Sequence, residues 1–164
     1  MRKSILVLTA AVALVVISCK ENPYINAPGD NSYNYDSIPV LKADTDGIVI
    51  GIDSAVAICN ALAKDEETSE RYKLSGTISS IKTDLTKVPN TYTNIDFMLT
   101  DKKGTITCFR TNYLNNYPFR SRSEMPPVGS KVTVVGNLVN YSGTTPEIKN
   151  SFILRIDSLA NAAE

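Results

Sequence analysis

The chain contains no histidine and no tryptophan, and only 7% of its 164 residues are aromatic. Without histidine, the Ser-His and Cys-His pairs that activate catalytic nucleophiles cannot form, and three scattered cysteines do not supply the four ligands of a structural zinc site. The sequence has no glycine-rich phosphate loop and too few acidic residues in its C-terminal part to indicate a catalytic carboxylate pair. We therefore expect a protein that is not an enzyme and that uses no metal and no cofactor.

The first 19 residues have the pattern of a bacterial export signal. Met1-Arg2-Lys3 is positively charged, an apolar run follows from Ile5 to Ile17, and the small residue Ser18 precedes Cys19. The apolar run is shorter than the roughly 20 residues that a membrane-spanning helix needs, and a basic start with a small residue at the cleavage site is typical of a cleaved signal. Residues 1–18 are therefore predicted to be a signal peptide, with an uncleaved signal anchor as the alternative.

The motif Val16-Ile17-Ser18-Cys19 resembles the lipobox of bacterial lipoprotein precursors, in which the cysteine thiol is acylated and becomes the new N-terminus. The resemblance implies lipidation of Cys19 and attachment to a membrane through that lipid anchor. Lys20 and Glu21 differ from the aspartate that often marks inner-membrane retention in Gram-negative bacteria. We therefore expect an outer-membrane location, with the periplasmic and the cell-surface face both open.

Residues 19–47 are rich in Asn, Asp, Pro and Gly and show no apolar periodicity. They are predicted to be a lipidated cysteine and a flexible tether with a reach of roughly 30 Å. Residues 20–70 carry 3 Lys/Arg and 10 Asp/Glu, whereas residues 71–156 carry 12 Lys/Arg and 5 Asp/Glu. Such asymmetry can indicate an anionic partner. Alternatively, the acidic segment neutralises the basic one, or the charges lie scattered in solvent.

Cys59 and Cys108 are the cysteines that remain once Cys19 is lipidated. Each lies among apolar neighbours, which favours two buried thiols that pack as small hydrophobic groups. A disulfide is the alternative, because the expected compartment permits disulfide formation.

The chain after the tether predicts one short helix and then five strands. Asp53 is a plausible N-cap for a helix from Ser54 to Lys64, in which apolar residues recur at helical spacing. The acidic run 65–69 is expected to be the solvated end of that helix or a turn. From Tyr72 onward the apolar period is two, which predicts strands over 72–82, 95–99, 105–111, 131–139 and 147–156.

These elements divide the mature chain into three segments. Residues 48–70 are predicted to be the short helix and its acidic turn, residues 71–157 a β-barrel, and residues 158–164 a C-terminal tail. Gly76 and Gly136 lie inside predicted strands, where glycine lets a small barrel bend. The predicted fold class is all-β with one short N-terminal helix, and the predicted architecture is a five-stranded, OB-like Greek-key barrel.

Three stretches of the sequence resemble OB-fold lipoproteins of the Bacteroidota, an uncharacterised envelope family. They are Tyr72 to Ile78, Val128 to Tyr141 and Thr145 to Glu147. In that family a signal and a tether precede a short helix and the barrel. The resemblance implies a fold and an envelope location, but it supplies no catalytic residue.

Barrels of this kind generally bind oligomers on the outer face of the second and third strands and on the flanking loops, which here are 83–93 and 140–146. If Ile95, Phe97, Leu99, Ile106 and Cys108 point inward, alternation turns Asp96, Met98, Thr107 and Phe109 outward. The candidate ligand-binding residues are aromatic, apolar or basic side chains near this face: Tyr92, Met98, Lys102, Lys103, Phe109, Arg110 and Tyr141.

Aromatic rings beside basic side chains suit single-stranded nucleic acid, and the same surface can stack a sugar ring. Two alternatives stay open: the N-terminal helix or the 113–127 connector covers Phe109 and Met98, and Arg110 is a structural ion-pair partner. A second cluster, Tyr113, Tyr117, Phe119, Arg120 and Arg122, is equally consistent with a connector that packs its rings on the barrel and keeps its arginines in water.

These observations predict a non-catalytic envelope lipoprotein whose barrel binds an extended, anionic ligand, either single-stranded nucleic acid or an oligosaccharide. The alternative function is an accessory protein–protein interaction module of an outer-membrane complex, with an envelope protein as partner and no soluble ligand.

Overall fold

A computed structural model of the protein describes residues 46–160. The predicted signal peptide, Cys19, nearly all of the predicted tether and residues 161–164 lie outside the described residues. The described part contains one α-helix and six strands: β1 (Ile48–Val49), α1 (Ile52–Ala61), β2 (Glu67–Ile81), β3 (Ile95–Thr100), β4 (Thr105–Thr111), β5 (Lys131–Tyr141) and β6 (Thr145–Ser158).

Strands β2 to β6 close into a barrel. The hydrogen-bonded order is β2-β3-β4-β6-β5, and β5 pairs back with β2 in antiparallel register, for example Leu74 with Val134. Strands β4 and β6 run parallel, whereas β2–β3, β3–β4 and β5–β6 are antiparallel. This is the OB-like topology, so the predicted all-β, five-stranded barrel is confirmed. The short β1 adds to β2 in parallel.

The interior of the barrel follows the period-two pattern of the sequence. Ile95, Phe97 and Leu99 of β3 are fully buried, and so are Ile106 and Cys108 of β4. All five belong to one core with apolar residues from α1, β2, β5 and β6. The predicted inward face of the β3–β4 hairpin is therefore correct, and the intervening residues of both strands face the outside of the barrel.

Helix α1 closes one end of the barrel. Ile52, Ala55 and Cys59 are completely buried and join the barrel core. The helix begins two residues earlier than predicted, because Gly51 and not Asp53 is the N-cap residue. Asp53 lies instead in the first turn, where a carboxylate is favourable at the helix N-terminus.

The acidic run that follows the helix is the predicted solvated turn only in its first part, where Asp65 lies in an exposed turn. From Glu67 onward the prediction is wrong, because Glu67 to Glu70 form the start of β2. The reason is pairing with β5: the Asn137 side-chain amide donates to the carbonyls of Thr68 and Glu70, at 2.9 and 3.2 Å, and the Leu138 N–H donates to the Thr68 hydroxyl at 3.0 Å. Tertiary hydrogen bonds thus override the weak local strand propensity of acidic residues.

The connector between β4 and β5 closes the other end of the barrel. Phe119 is fully buried and Met125 nearly so, and both belong to the core. The Tyr113 ring packs on Phe119 with the ring centroids 5.1 Å apart. The packing interpretation of this aromatic cluster is therefore correct for these two rings, while the Arg120 guanidinium lies over the Tyr117 ring at 5.8 Å.

Both cysteines of the described region are free and buried. Burial raises the pKa of the Cys59 thiol and raises that of Cys108 strongly, since a thiolate is poorly solvated in the core. The two thiols therefore pack as small hydrophobic groups, as the sequence predicts, and not as a disulfide.

Candidate ligand-binding groove

A groove of about 660 Å³ lies at the end of the barrel opposite α1, between the β2–β3 loop and the outer face of β3 and β4. The loop supplies one wall, and the start of β3 and the end of β4 supply the floor. Its lining combines two aromatic rings with hydroxyl, amide and charged groups: Lys82, Thr83, Asp84, Thr91, Tyr92, Thr93, Asn94, Asp96, Phe109 and Arg110.

Phe109 forms the aromatic floor of the groove. Its side chain faces outward from β4 and is half-buried, so the ring lies outside the core but is only partly exposed to solvent. The Arg110 guanidinium lies 5.2 Å from the ring centroid, and the Lys149 ammonium on β6 lies 5.8 Å from it. Both cations are within the range of a cation–π interaction, about 6 Å. The expected exposed platform is therefore a partly covered ring flanked by two positive charges.

Arg110 is held in an unusual backbone conformation at the end of β4. Its φ angle is +46°, in the left-handed region that non-glycine residues rarely adopt. Its N–H donates to the Asp96 carboxylate at 2.6 Å, beside an irregularity in the β3–β4 register. Backbone strain of this kind costs on the order of 1–3 kcal/mol and tends to occur at functional sites.

The loop that forms the wall is held by hydrogen bonds to β3, to the β4–β5 connector and within itself. The Asp96 N–H donates to the Thr83 hydroxyl at 2.7 Å, and the Phe119 N–H donates to the Thr93 carbonyl at 2.7 Å. The Thr86 hydroxyl and N–H donate to Asp84 and lower the pKa of that exposed carboxyl. Tyr92 stands on this wall with 40% of its surface exposed, so its ring is available to a ligand.

Met98 and Thr107 continue the outer face from the groove along the hairpin. Met98 is half-buried and not exposed as expected, and Thr107 is 5% exposed. The Thr107 hydroxyl donates to Met98 Sδ at 3.4 Å, and Lys82 Nζ donates to the same hydroxyl at 3.5 Å. The side chain of Lys82 thus reaches from the end of β2 across the hairpin, a contact that no local pattern indicates.

Lys102 and Lys103 do not reach the groove. They lie in the β3–β4 turn, whereas the groove is at the other end of the hairpin, about 17 Å away for five extended residues. Lys103 Nζ lies 3.6 Å from Asp53 of α1, so it faces the helix end of the barrel. The expectation that these two lysines lie near Phe109 and Arg110 is therefore wrong.

Tyr141 also lies at the helix end. Because β4 and β6 are parallel and Thr107 pairs with Glu147, the turn before β6 is at the same end as the turn before β4. That turn is bonded to the segment after α1, since the Ser142 N–H donates to Asp65 at 2.7 Å. Tyr141 is 49% exposed but is separated from Tyr92, Phe109 and Arg110, the three candidates that the structure brings together.

The charges that line the groove balance. Lys82 and Arg110 face Asp84 and Asp96, so the basic excess of residues 71–156 is not concentrated there. Among residues 46–160, three ion pairs form within 4.0 Å, and one of them joins the acidic segment to the barrel. The charges are therefore mostly scattered over the surface, which was one of the alternatives.

Two functional candidates on β6, Glu147 and Lys149, did not emerge from the sequence. Glu147 is 6% exposed, and this burial raises the pKa of its carboxyl. The negative charge of Asp96 also raises that pKa, whereas the positive charges of Lys149 and Lys82 lower it. The spacing of two residues within the last strand could have placed both on the outer face. Their neighbours could not be identified, because the parallel pairing of β6 with β4 is not visible in the sequence.

We expect Glu147→Gln to stabilise the protein at neutral pH. Folding raises the pKa of this carboxyl, so the folded state favours its protonated form. The ionised carboxylate therefore lowers stability: the loss is absent below the pKa of the unfolded state and complete above the pKa of the folded state. The free energy of unfolding should rise by up to about 1 kcal/mol at pH 7, the lower end of the scale for an unpaired buried polar group, because the carboxylate oxygens keep some solvent contact, and the gain should vanish near pH 4. Urea unfolding at both pH values measures this, and a variant less stable than wild type at pH 7 would contradict it.

No protein-family model matches the chain, and a search of curated proteins found no significant match. No helix within residues 46–160 is long and apolar enough to cross a membrane.

Proposed function

We propose that this protein is a non-catalytic, lipid-anchored envelope protein whose OB-like barrel binds an extended oligosaccharide in the groove. The observation that carries the proposal is the combination of Phe109 and Tyr92 with a charge-balanced polar lining. The anchor at Cys19 and the outer-membrane location belong to the same proposal and are supported by the sequence pattern of residues 16–19.

The composition of the groove favours a sugar over a polyanion. Single-stranded nucleic acid is bound mainly through its phosphates, which need an excess of positive charge. Here Asp84 and Asp96 offset Lys82 and Arg110, and Asp96 lies on the floor beside Phe109. Sugar hydroxyls both donate and accept hydrogen bonds, so they can use carboxylates, amides and cations together.

The proposal predicts that Phe109→Ala weakens oligosaccharide binding at least tenfold, or about 1.4 kcal/mol. The substitution removes the aromatic floor, while the ring lies outside the core, so the barrel should stay folded. Residues 20–164 would be titrated by calorimetry with neutral hexasaccharides (maltohexaose, cellohexaose and mannohexaose), with oligogalacturonate and with a single-stranded oligonucleotide, at two salt concentrations.

Tyr141→Ala is the matched control, since it removes an exposed ring at the opposite end of the barrel and should leave affinity within twofold. Equal affinity of the Phe109→Ala and wild-type proteins would contradict the proposed site. Binding of the oligonucleotide alone, with affinity that collapses as salt is added, would favour the nucleic-acid hypothesis instead.

A further inference from the structure

The outer face of the barrel continues from the groove onto β6. Strands β4 and β6 pair in parallel with Thr107 opposite Glu147, and the same register places Lys149 beside Phe109. The 5.8 Å distance from Lys149 Nζ to the Phe109 ring agrees with this placement. A ligand that stacks on Phe109 therefore has the polar side chains of β6 next to it.

Glu147 is the unusual member of this surface. Only 6% of its surface is exposed, and within residues 46–160 no donor or cation lies within hydrogen-bond or ion-pair distance of its carboxylate. The carboxylate oxygens are not among the fully buried unpaired polar atoms of these residues, which are Arg71 Nε and Asn140 Oδ1, so they keep some contact with solvent. A carboxylate that is mostly covered, unpaired and still reachable beside a groove has unused acceptor positions for a ligand.

Two lysines complete the local arrangement. Lys82 Nζ is bonded to Thr107, which pairs with Glu147 on the neighbouring strand, so this ammonium lies one strand away from the carboxylate. Lys149 follows Glu147 by two residues and points to the same side of β6. One carboxylate thus has two lysines near it on the same outer face, next to the aromatic ring.

We propose that Glu147, Lys149 and Lys82 form a subsite for adjacent hydroxyl groups of a neutral sugar ring that stacks on Phe109; this inference rests on the proposed function. One hydroxyl donates to the Glu147 carboxylate while its neighbour accepts from a lysine ammonium, which satisfies both protein groups. Lys149 shifts from the Phe109 face as the ring arrives, since its side chain has four rotatable carbons.

The subsite also defines which ligands are rejected. An acidic sugar brings its own carboxylate towards Glu147 and Asp96, and like charges repel. An O-methylated sugar has the same shape but no donor, so it buries the Glu147 carboxylate without a partner. Sites built to hydrogen-bond a hydroxyl discriminate strongly against analogues that lack it, for this reason.

The test is the affinity of wild type, Glu147→Gln and Glu70→Gln for the tightest-binding neutral hexasaccharide and for its fully O-methylated form. Wild type should bind the hydroxylated form at least tenfold more tightly. Glu147→Gln should bind that form about tenfold more weakly and lose most of the discrimination. Glu70 is an exposed glutamate on β2, so Glu70→Gln should match wild type. A urea stability of each variant at pH 7 that is no lower than that of wild type excludes unfolding as the cause.

The outcomes separate the inference from the proposed function. If wild type binds the neutral sugar and Phe109→Ala abolishes binding, but Glu147→Gln keeps both affinity and discrimination, the groove is correct and the Glu147 subsite is wrong. Preferential binding of oligogalacturonate would overturn the subsite as well. If wild type binds no saccharide of the panel, both are wrong.

Discussion

Replacing Gly136 with alanine should cost about 3 kcal/mol of unfolding free energy, the upper range for overpacking a core. A Cβ at this position of β5 would lie 2.5 Å from the Lys149 carbonyl oxygen and 2.7 Å from Ser151 Cβ, both on β6. Neither contact can be relieved by a flexible side chain, so the two strands must separate. Thermal unfolding should show the melting temperature lowered by about 12 °C.

Gly104→Ala is the matched control for this substitution. A Cβ there would meet Ile52 Cγ2 at 3.4 Å and the Asp53 nitrogen at 3.5 Å, which are ordinary contacts. Because alanine also restricts the unfolded chain, the variant should be neutral or slightly stabilised, by up to roughly 1 kcal/mol. A Gly136→Ala protein as stable as Gly104→Ala would show that β5 and β6 do not approach as closely as described.

Phe119→Ala should destabilise the protein by about 4 kcal/mol, typical of removing a fully buried phenylalanine. The ring fills the barrel end under the connector, and Tyr113 packs on it. Its backbone N–H also holds Thr93 of the groove wall, so a partly relaxed connector should loosen that wall. Urea unfolding measures the stability, and amide hydrogen exchange of the 82–94 loop measures the loosening.

The exposed ring of Tyr141 again provides the comparison, since Tyr141→Ala should change stability by less than about 0.5 kcal/mol. A loss below 1 kcal/mol for Phe119→Ala would contradict the description of the connector as part of the core. Faster exchange of the loop with unchanged global stability would place Phe119 in the groove wall only.

The sequence predicted those parts of the fold that depend on local periodicity. The alternation in β3 and β4 correctly separated Phe97 and Cys108 inside from Asp96 and Phe109 outside, because side-chain direction in a strand has a strict period of two. The start of β2 was missed, since Glu67 to Glu70 are strand only through hydrogen bonds to Asn137 and Leu138, nearly 70 residues later.

The candidate site was predicted in part for the same reason. Tyr92, Phe109 and Arg110 meet because a loop and two consecutive strands suffice to bring them together. Lys102 and Lys103 were misplaced because closeness in sequence to Phe109 does not show which end of the hairpin a turn occupies. Lys149 and Glu147 were missed because only the parallel β4–β6 pairing, between segments about 40 residues apart, puts them beside Phe109.

The closure of the barrel determines when the chain can fold. Strand β2 pairs with β5 across more than 50 residues, and β5 needs β6 on its other edge. Chains dominated by such distant pairings fold slowly, because the loops must close before the contacts form. A growing chain that ends before β6 therefore cannot complete the barrel, so the barrel can close only after the last strand has been made.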